Sequence, residues 1–332
     1  MVWTPFFSSI ARKGDNVMLK YIIKRILVAI PTFIGITLLV FVLSSMAPGG
    51  PLTSLRATMT EEAVDELEHQ YGLDRPILVQ YGDWFKDLFK GDLGTSYKSG
   101  KPVMELMSNR IGPTLVLTLT AFVLSTITGV VLGIISAVND GGKGDKVISA
   151  IAFISQSVPG FFLSVLMLWL FSVKLGWLPT SGMYGITGER SISELIKHLV
   201  LPAGIMAFGQ LGSLIRYTKS GMLEVMNEEY IKTAKSKGIG AFAVNIRHAF
   251  RNSLIPIVTI LGTEIPNLIG GSVIIEQIFG WPGLGTLMMT SVTSRDYPTI
   301  MGITCLISAV VLVVNLLVDL IYGLLDPRIS YK

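Results

Sequence analysis

The chain has 332 residues, of which 50% are hydrophobic and only 15% charged, against roughly 25% charge in a soluble globular domain, so its solvent is lipid. A single cysteine, Cys305, excludes an intrachain disulfide framework and a cysteine-based metal site. The net charge of +4 would suit nucleic acid only if the basic residues formed one patch; they are divided among the connections of a membrane bundle, so no nucleic acid partner is expected.

A spanning helix needs about 20 mostly apolar residues, and six stretches meet that need. Residues 1–17 read as a cytoplasmic N-terminal extension, with Met18 an alternative start. Residues 18–46 hold an interfacial segment and the first span, charge-free from Ile26 to Met46. A cleaved signal peptide would also follow Lys20, Lys24 and Arg25, but this run is long for a signal core and Pro48 is a poor cleavage context. Residues 47–110 are too long for a turn and are expected to fold as an extracytoplasmic helical insertion. Thr60 caps a helix from Glu61 to Tyr71 that stops at Gly72. A second helix places Ile77, Tyr81, Trp84, Phe85, Leu88 and Phe89 at helical spacing; it either packs on the bundle or offers a docking surface. The core, residues 111–332, contains the remaining windows. They lie between Arg110 and Asp140 and between Lys146 and Lys174, then run from His198 to Ile215, from Asn252 to Ile275 and from Tyr297 to Leu325. In the second of these, Pro159 is expected to kink the helix beside Gln156.

Basic residues resist translocation and so mark the inner connections. With the N-terminus inside, the inner segments hold 16 basic and 7 acidic residues, and the longer outer segments 11 basic and 14 acidic. Both termini are therefore expected in the cytoplasm. The fold class is an all-α integral membrane protein with six transmembrane helices.

The inner loop, residues 216–251, is the most informative connection. Asn227 is an expected N-cap, Glu228 and Glu229 fall in the first turn, Lys232, Lys235 and Lys237 follow, and Gly238 stops the helix. Glu228 and Lys232 can pair four residues apart, and Tyr230, Ala234 and Lys237 share a neighbouring stripe. Such a helix is either a lever that another protein grips or a surface helix packed beneath its own bundle.

Glu264 is the notable charge within a span, between Pro256 and Pro266. An ionisable group at that depth faces a partner or an aqueous cavity. It is the first candidate for a translocation path, with Asn267, Gln156 and Gln210 after it; a structural pairing is the alternative. Asp319 lies near the inner interface, where a basic residue or headgroup can pair with it. Gly141-Gly142-Lys143-Gly144 lacks the spacing and the hydroxyl residue of a phosphate-binding loop. Gly283 and Gly285 belong to a Trp-Pro-Gly-Leu-Gly turn. His69, His198 and His248 are too dispersed to share a metal.

Several segments, in order, then carry a resemblance. They are Met18-Leu19-Lys20-Tyr21, Ala47-Pro48-Gly49, Tyr71-Gly72-Leu73-Asp74-Arg75-Pro76, Gly91-Asp92-Leu93-Gly94 and Leu175-Gly176-Trp177-Leu178-Pro179. Further along come the loop from Glu229 to Gly238, Phe279-Gly280-Trp281-Pro282-Gly283-Leu284-Gly285, Arg295-Asp296-Tyr297-Pro298 and Leu325-Asp326-Pro327-Arg328. From about Met18 to Ile329 the chain resembles the permease subunit of the oligopeptide/dipeptide family of ATP-binding-cassette (ABC) importers. It departs from the generic importer loop at Lys232 and Thr233, where that pattern has Glu and Ala. The resemblance implies a type I importer permease fold in the inner membrane of a prokaryote and no catalytic site in this chain. It implies that residues 228–238 form a coupling helix, with Glu228, Glu229, Tyr230, Thr233, Ala234, Lys237 and Gly238 at an ATPase groove. The implied partners are a second, homologous permease, two ATPases that bind ATP and Mg, an extracytoplasmic substrate-binding protein, a peptide substrate and membrane lipid. Nickel complexes or oligosaccharides are alternative solutes within the same branch. A self-contained ion-coupled transporter and a membrane scaffold are the alternatives outside it.

Overall fold

The computed structural model describes residues 15–46, 50–52, 56, 59–185 and 190–325. Most of the N-terminal extension, Ala47-Pro48-Gly49 and Asp326-Pro327-Arg328 lie outside the described residues. The regular elements described are helices, with one isolated antiparallel bridge between Thr95 and Pro102. Helix α1 spans Asp15–Ser45, and the insertion contributes α2 (Glu61–Gln70) and α3 (Ile77–Leu88). Next come α4 (Val103–Val138), α5 (Lys143–Ser157) and α6 (Gly160–Met167), the last continuing as a π-helical turn, Leu168–Lys174. The second half holds α7 (Ile192–Met226), α8 (Glu229–Ser236), α9 (Ala241–Ala243, continuing as a π-helical turn, Val244–Phe250), α10 (Leu254–Ile278), α11 (Leu284–Ser294) and α12 (Tyr297–Leu325).

Five of these helices are long and apolar enough to cross a membrane, and α5 with α6 makes six if the bent pair is one span. That pair differs from the expected kinked helix, because its axes meet at 100°. A residue before proline is driven out of the helical region, and proline itself has no N–H to give. Val158 and Pro159 are accordingly both extended, with ψ 120° and 131°, and Pro159 becomes the N-cap of α6. Helix α4 begins at Val103, inside the segment assigned to the insertion, and α7 runs on to Met226, inside the segment assigned to the inner loop.

The core is the crossing of α4 on α7. Ala121, Ser125, Gly129, Gly133 and Ala137 recur every fourth residue on α4, and all are buried. Lipid supplies no hydrophobic drive between spans, so close packing of small residues has to hold them together. The approach leaves no room for side chains: a Cβ at Gly129 would lie 2.6 Å from Leu214, and one at Gly133 2.5 Å from Thr218.

Among the described residues, hydrogen bonds of Tyr81 and of Asp296 help tie the insertion to the bundle, beside the packing of Leu93 on Met107 and Ile303. Tyr81 of α3 shares a hydrogen bond of 2.9 Å with Thr37 of α1 and meets Phe41 edge-on. The Asp296 carboxylate, just before α12, accepts hydrogen bonds from the Ser96 hydroxyl at 2.6 Å, the Tyr97 amide at 2.9 Å and the Thr299 hydroxyl at 2.7 Å. Thr60 caps α2 through the Ala63 amide, and Gly72 follows it at φ +65°. At the other end of the bundle, Asp319 of α12 takes both guanidinium arms of Arg25 on α1, each at 3.0 Å.

Candidate functional site

Two regions bring the singled-out residues together: helix α8 at one end of α7, and a cavity beside its middle. Helix α8 is amphipathic. Ile231 and Ala234 are buried against Ala137, Met222, Val244 and Ala249, while Glu228, Glu229, Tyr230, Thr233, Lys237 and Gly238 are exposed. Ala234 therefore faces its own bundle and is a packing residue, whereas Tyr230 stands on the open face at 44% exposure. Partial burial raises the Tyr230 phenol above its ordinary pKa, against the opposing effect of a hydrogen bond with Asn252.

The caps differ in part from expectation. Asn227 closes α7 instead of opening α8; its conformation is helical and its side-chain amide donates to Leu223 O. Glu228, with extended backbone, is the N-cap of α8. Lys232 pairs with Glu229 at 2.6 Å rather than with Glu228, because a residue outside the first helical turn no longer stacks over position i+4. The C-terminus is as expected. Gly238 sits at φ +78°, where its amide reaches Lys235 O and the Ile239 amide reaches Ala234 O, the paired bonds of a Schellman stop.

The second region is a cavity of about 560 Å³ lined from α5, α6, α7 and α10. All four residues singled out for a path, Gln156, Gln210, Glu264 and Asn267, line it. The break at Val158 and Pro159 admits both Gln156 and Phe161 to its wall. Gln210 is held by the Ser125 hydroxyl, which donates to its side-chain oxygen at 3.2 Å across the α4–α7 contact. Glu264 is 6% exposed and accepts a hydrogen bond from the Ser213 hydroxyl at 2.6 Å. Ser213 was not singled out from sequence, although it follows Gln210 by about one helical turn and so shares its face.

A second buried carboxylate also escaped the sequence reading. Glu276 lies one residue beyond the apolar window that ends at Ile275, and its burial is complete. It accepts hydrogen bonds from the Gly285 and Thr286 amides at 2.7 and 3.1 Å and from the Thr114 hydroxyl at 2.7 Å. It therefore meets the partial positive charge at the start of α11. The Trp-Pro-Gly-Leu-Gly turn exists around it: a Cβ at Gly283 would overlap the carboxylate, and one at Gly285 would lie 2.8 Å from it. Trp281, wholly buried, donates its indole N–H to Pro113 O at 2.8 Å.

Among the described residues no three His, Cys, Asp or Glu side chains gather where they could hold a metal ion. The Gly141 amide points at the Asp145 carboxylate, which also takes Lys219 at 2.6 Å, so the glycine-rich stretch closes the α4–α5 turn.

Comparison with known proteins agrees with this architecture. The description "Binding-protein-dependent transport system inner membrane component" matches residues 129–331, and that of the corresponding N-terminal part matches residues 18–118. The oligopeptide transport system permease protein AppB of Bacillus subtilis is 42% identical over 95% of this chain and 100% of its own length. The dipeptide transport system permease protein DppB of Alkalihalophilus pseudofirmus is 38% identical over 95% of this chain and 100% of its own. Among solved structures, a chain of the inward-facing MetNI methionine ABC transporter superposes with a TM-score of 0.53 at 18% identity, over 67% of this chain and 97% of that one. That likeness concerns the fold, which is the type I permease fold of ABC importers. The chain belongs to the family of inner membrane components of binding-protein-dependent transport systems, as a multi-pass permease subunit and not an ATPase.

Proposed function

We propose that this chain forms one half of the transmembrane path of an ATP-driven peptide importer and that α8 is the lever through which ATPase subunits move it. The observation that carries the reading is the continuity of α7. The helix runs unbroken from Gln210 and Ser213 at the cavity to Met226, two residues short of the N-cap of α8's first turn. From Ser213 to Met226 is about 20 Å at 1.5 Å per residue, so a push on α8 reaches the cavity through one rigid element. Lys219, on the same stretch, is clamped by Asp140 and Asp145 at 2.8 and 2.6 Å, tying α7 to the α4–α5 turn.

On this reading two ATPases lie beneath the pair of permeases, and one of them grips the exposed face of α8, with Glu228, Glu229, Tyr230, Thr233, Lys237 and Gly238 at the contact and Ala234 behind it. A second, homologous permease completes the path, and an extracytoplasmic binding protein delivers the peptide. ATP binding and hydrolysis shift the bundle between two states because the ATPases contact α8 differently in each. Both termini lie in the cytoplasm of a prokaryote and the insertion lies outside. The test is quantitative mass spectrometry of proteins that co-purify with the tagged chain from its native membranes. A second permease and ATPases should be recovered, with the ATPases lost from Gly238→Leu and Tyr230→Ala while membrane insertion survives. Equal recovery from the variants would refute the lever; no ATPase with the unmodified chain would refute the importer.

A further inference from the structure

We propose that Glu264 gives this half of the path a charge preference, favouring solutes that present a cation, such as the free amino terminus of a peptide, over anions. The inference rests on the path reading above. Among the residues lining the cavity Glu264 is the one titratable group; the rest are apolar side chains, glycines, a hydroxyl and neutral amides. Among the described residues no Lys, Arg or His forms an ion pair with its carboxylate, and its one hydrogen bond, from Ser213, engages Oε1 alone. The Oε2 atom is left for whatever enters.

The surroundings sharpen the effect of that charge. A cleft with low-dielectric walls and charge of one sign concentrates ions of the opposite sign. Ile205, Met206, Leu268 and Ile275 supply such walls. The amides of Gln156 and Asn267 both donate and accept, so they orient a solute without selecting its charge. There is also room beside the carboxylate: a Cβ at Gly160, Gly209 or Gly271 would meet nothing within 4 Å.

The test reads the electrostatics directly, without the binding protein. The transporter, with its co-purifying subunits, is placed in liposomes carrying Asn267→Cys in a Cys305→Ser background. Its modification rate is then measured with a cationic methanethiosulfonate, the trimethylammonioethyl reagent, and an anionic one, the sulfonatoethyl reagent. Replacing Glu264 by Gln, which keeps an acceptor for Ser213, should lower the cationic-to-anionic rate ratio by roughly tenfold, and Glu264→Asp should preserve the ratio. Reaction with an unchanged ratio in Glu264→Gln would overturn the charge preference and leave the path intact. No reaction with either reagent, at Asn267→Cys and equally at Gly271→Cys, would mean that water does not enter and would overturn the path as well.

Discussion

Removing the Glu276 carboxylate should be among the most damaging single changes in this protein, although the residue lies outside both candidate functional regions. In Glu276→Ala the Gly285 and Thr286 amides and the Thr114 hydroxyl lose their partner in a fully buried place. An orphaned buried polar group costs about 1–3 kcal/mol. Three such groups give a loss of at least about 3 kcal/mol, roughly a hundredfold in the folding equilibrium. Glu276→Gln keeps one oxygen for the two amides and turns an NH₂ toward Thr114, so its cost should be nearer about 1 kcal/mol. Thr114→Val should be less than additive with Glu276→Ala, because the two changes dismantle one cluster. The assay is equilibrium unfolding in mixed micelles, followed by tryptophan fluorescence, since Trp281 is buried beside the cluster. A Glu276→Ala protein within about 1 kcal/mol of the parent, below the three-group sum, would refute this account, as would equal losses for the Ala and Gln variants.

Three further outcomes follow from the packing. Gly133→Leu forces a side chain against the Thr218 side chain and Ile215 O and should cost about 3 kcal/mol, the upper end for overpacking; the same unfolding assay checks it, and an unchanged midpoint would mean that α4 and α7 are not in close contact. Pro159→Ala restores an N–H and removes the constraint on Val158, so spin labels on α5 and α6 should move apart as the 100° bend relaxes; an unaltered distance distribution would assign the bend to packing. Asp319→Asn breaks the pair with Arg25, whose side chain is 48% exposed, and should cost no more than about 1 kcal/mol; a larger loss on unfolding would place that pair away from water.

Much of the site was legible in the sequence because its signals are local. A carboxylate and amides in otherwise apolar runs stand out when charge is expensive, and Gln156, Gln210, Glu264 and Asn267 did converge on one cavity. Gly238 ended α8 as expected, since a left-handed residue after a helix is a glycine for backbone reasons alone. Cap assignment was harder. Asn227 and Glu228 are adjacent, and only the ending of α7 at Met226 decides which of them opens the next helix. Ser213 and Glu276 were missed because a serine in a span usually bonds its own backbone and an acid past an apolar run usually faces water; each acquires its role from partners nine or more residues away. The stripe of small residues on α4 was present as Gly129 and Gly133 four apart, and its meaning needed α7 beside it.

The sequence by itself determined that the chain lives in lipid, how many apolar stretches it has, where charge is divided between their ends, that Thr60 opens α2 and that Gly238 ends α8. These are properties of neighbouring residues and of the solvent they require. Only the tertiary structure decided that Pro159 breaks a helix outright, that Ala234 turns inward while Tyr230 faces out, and that α7 links the α8 helix to the Glu264 cavity. Those outcomes depend on which helix faces are brought together, and close packing between spans, which lipid does not drive by itself, settles that choice one contact at a time.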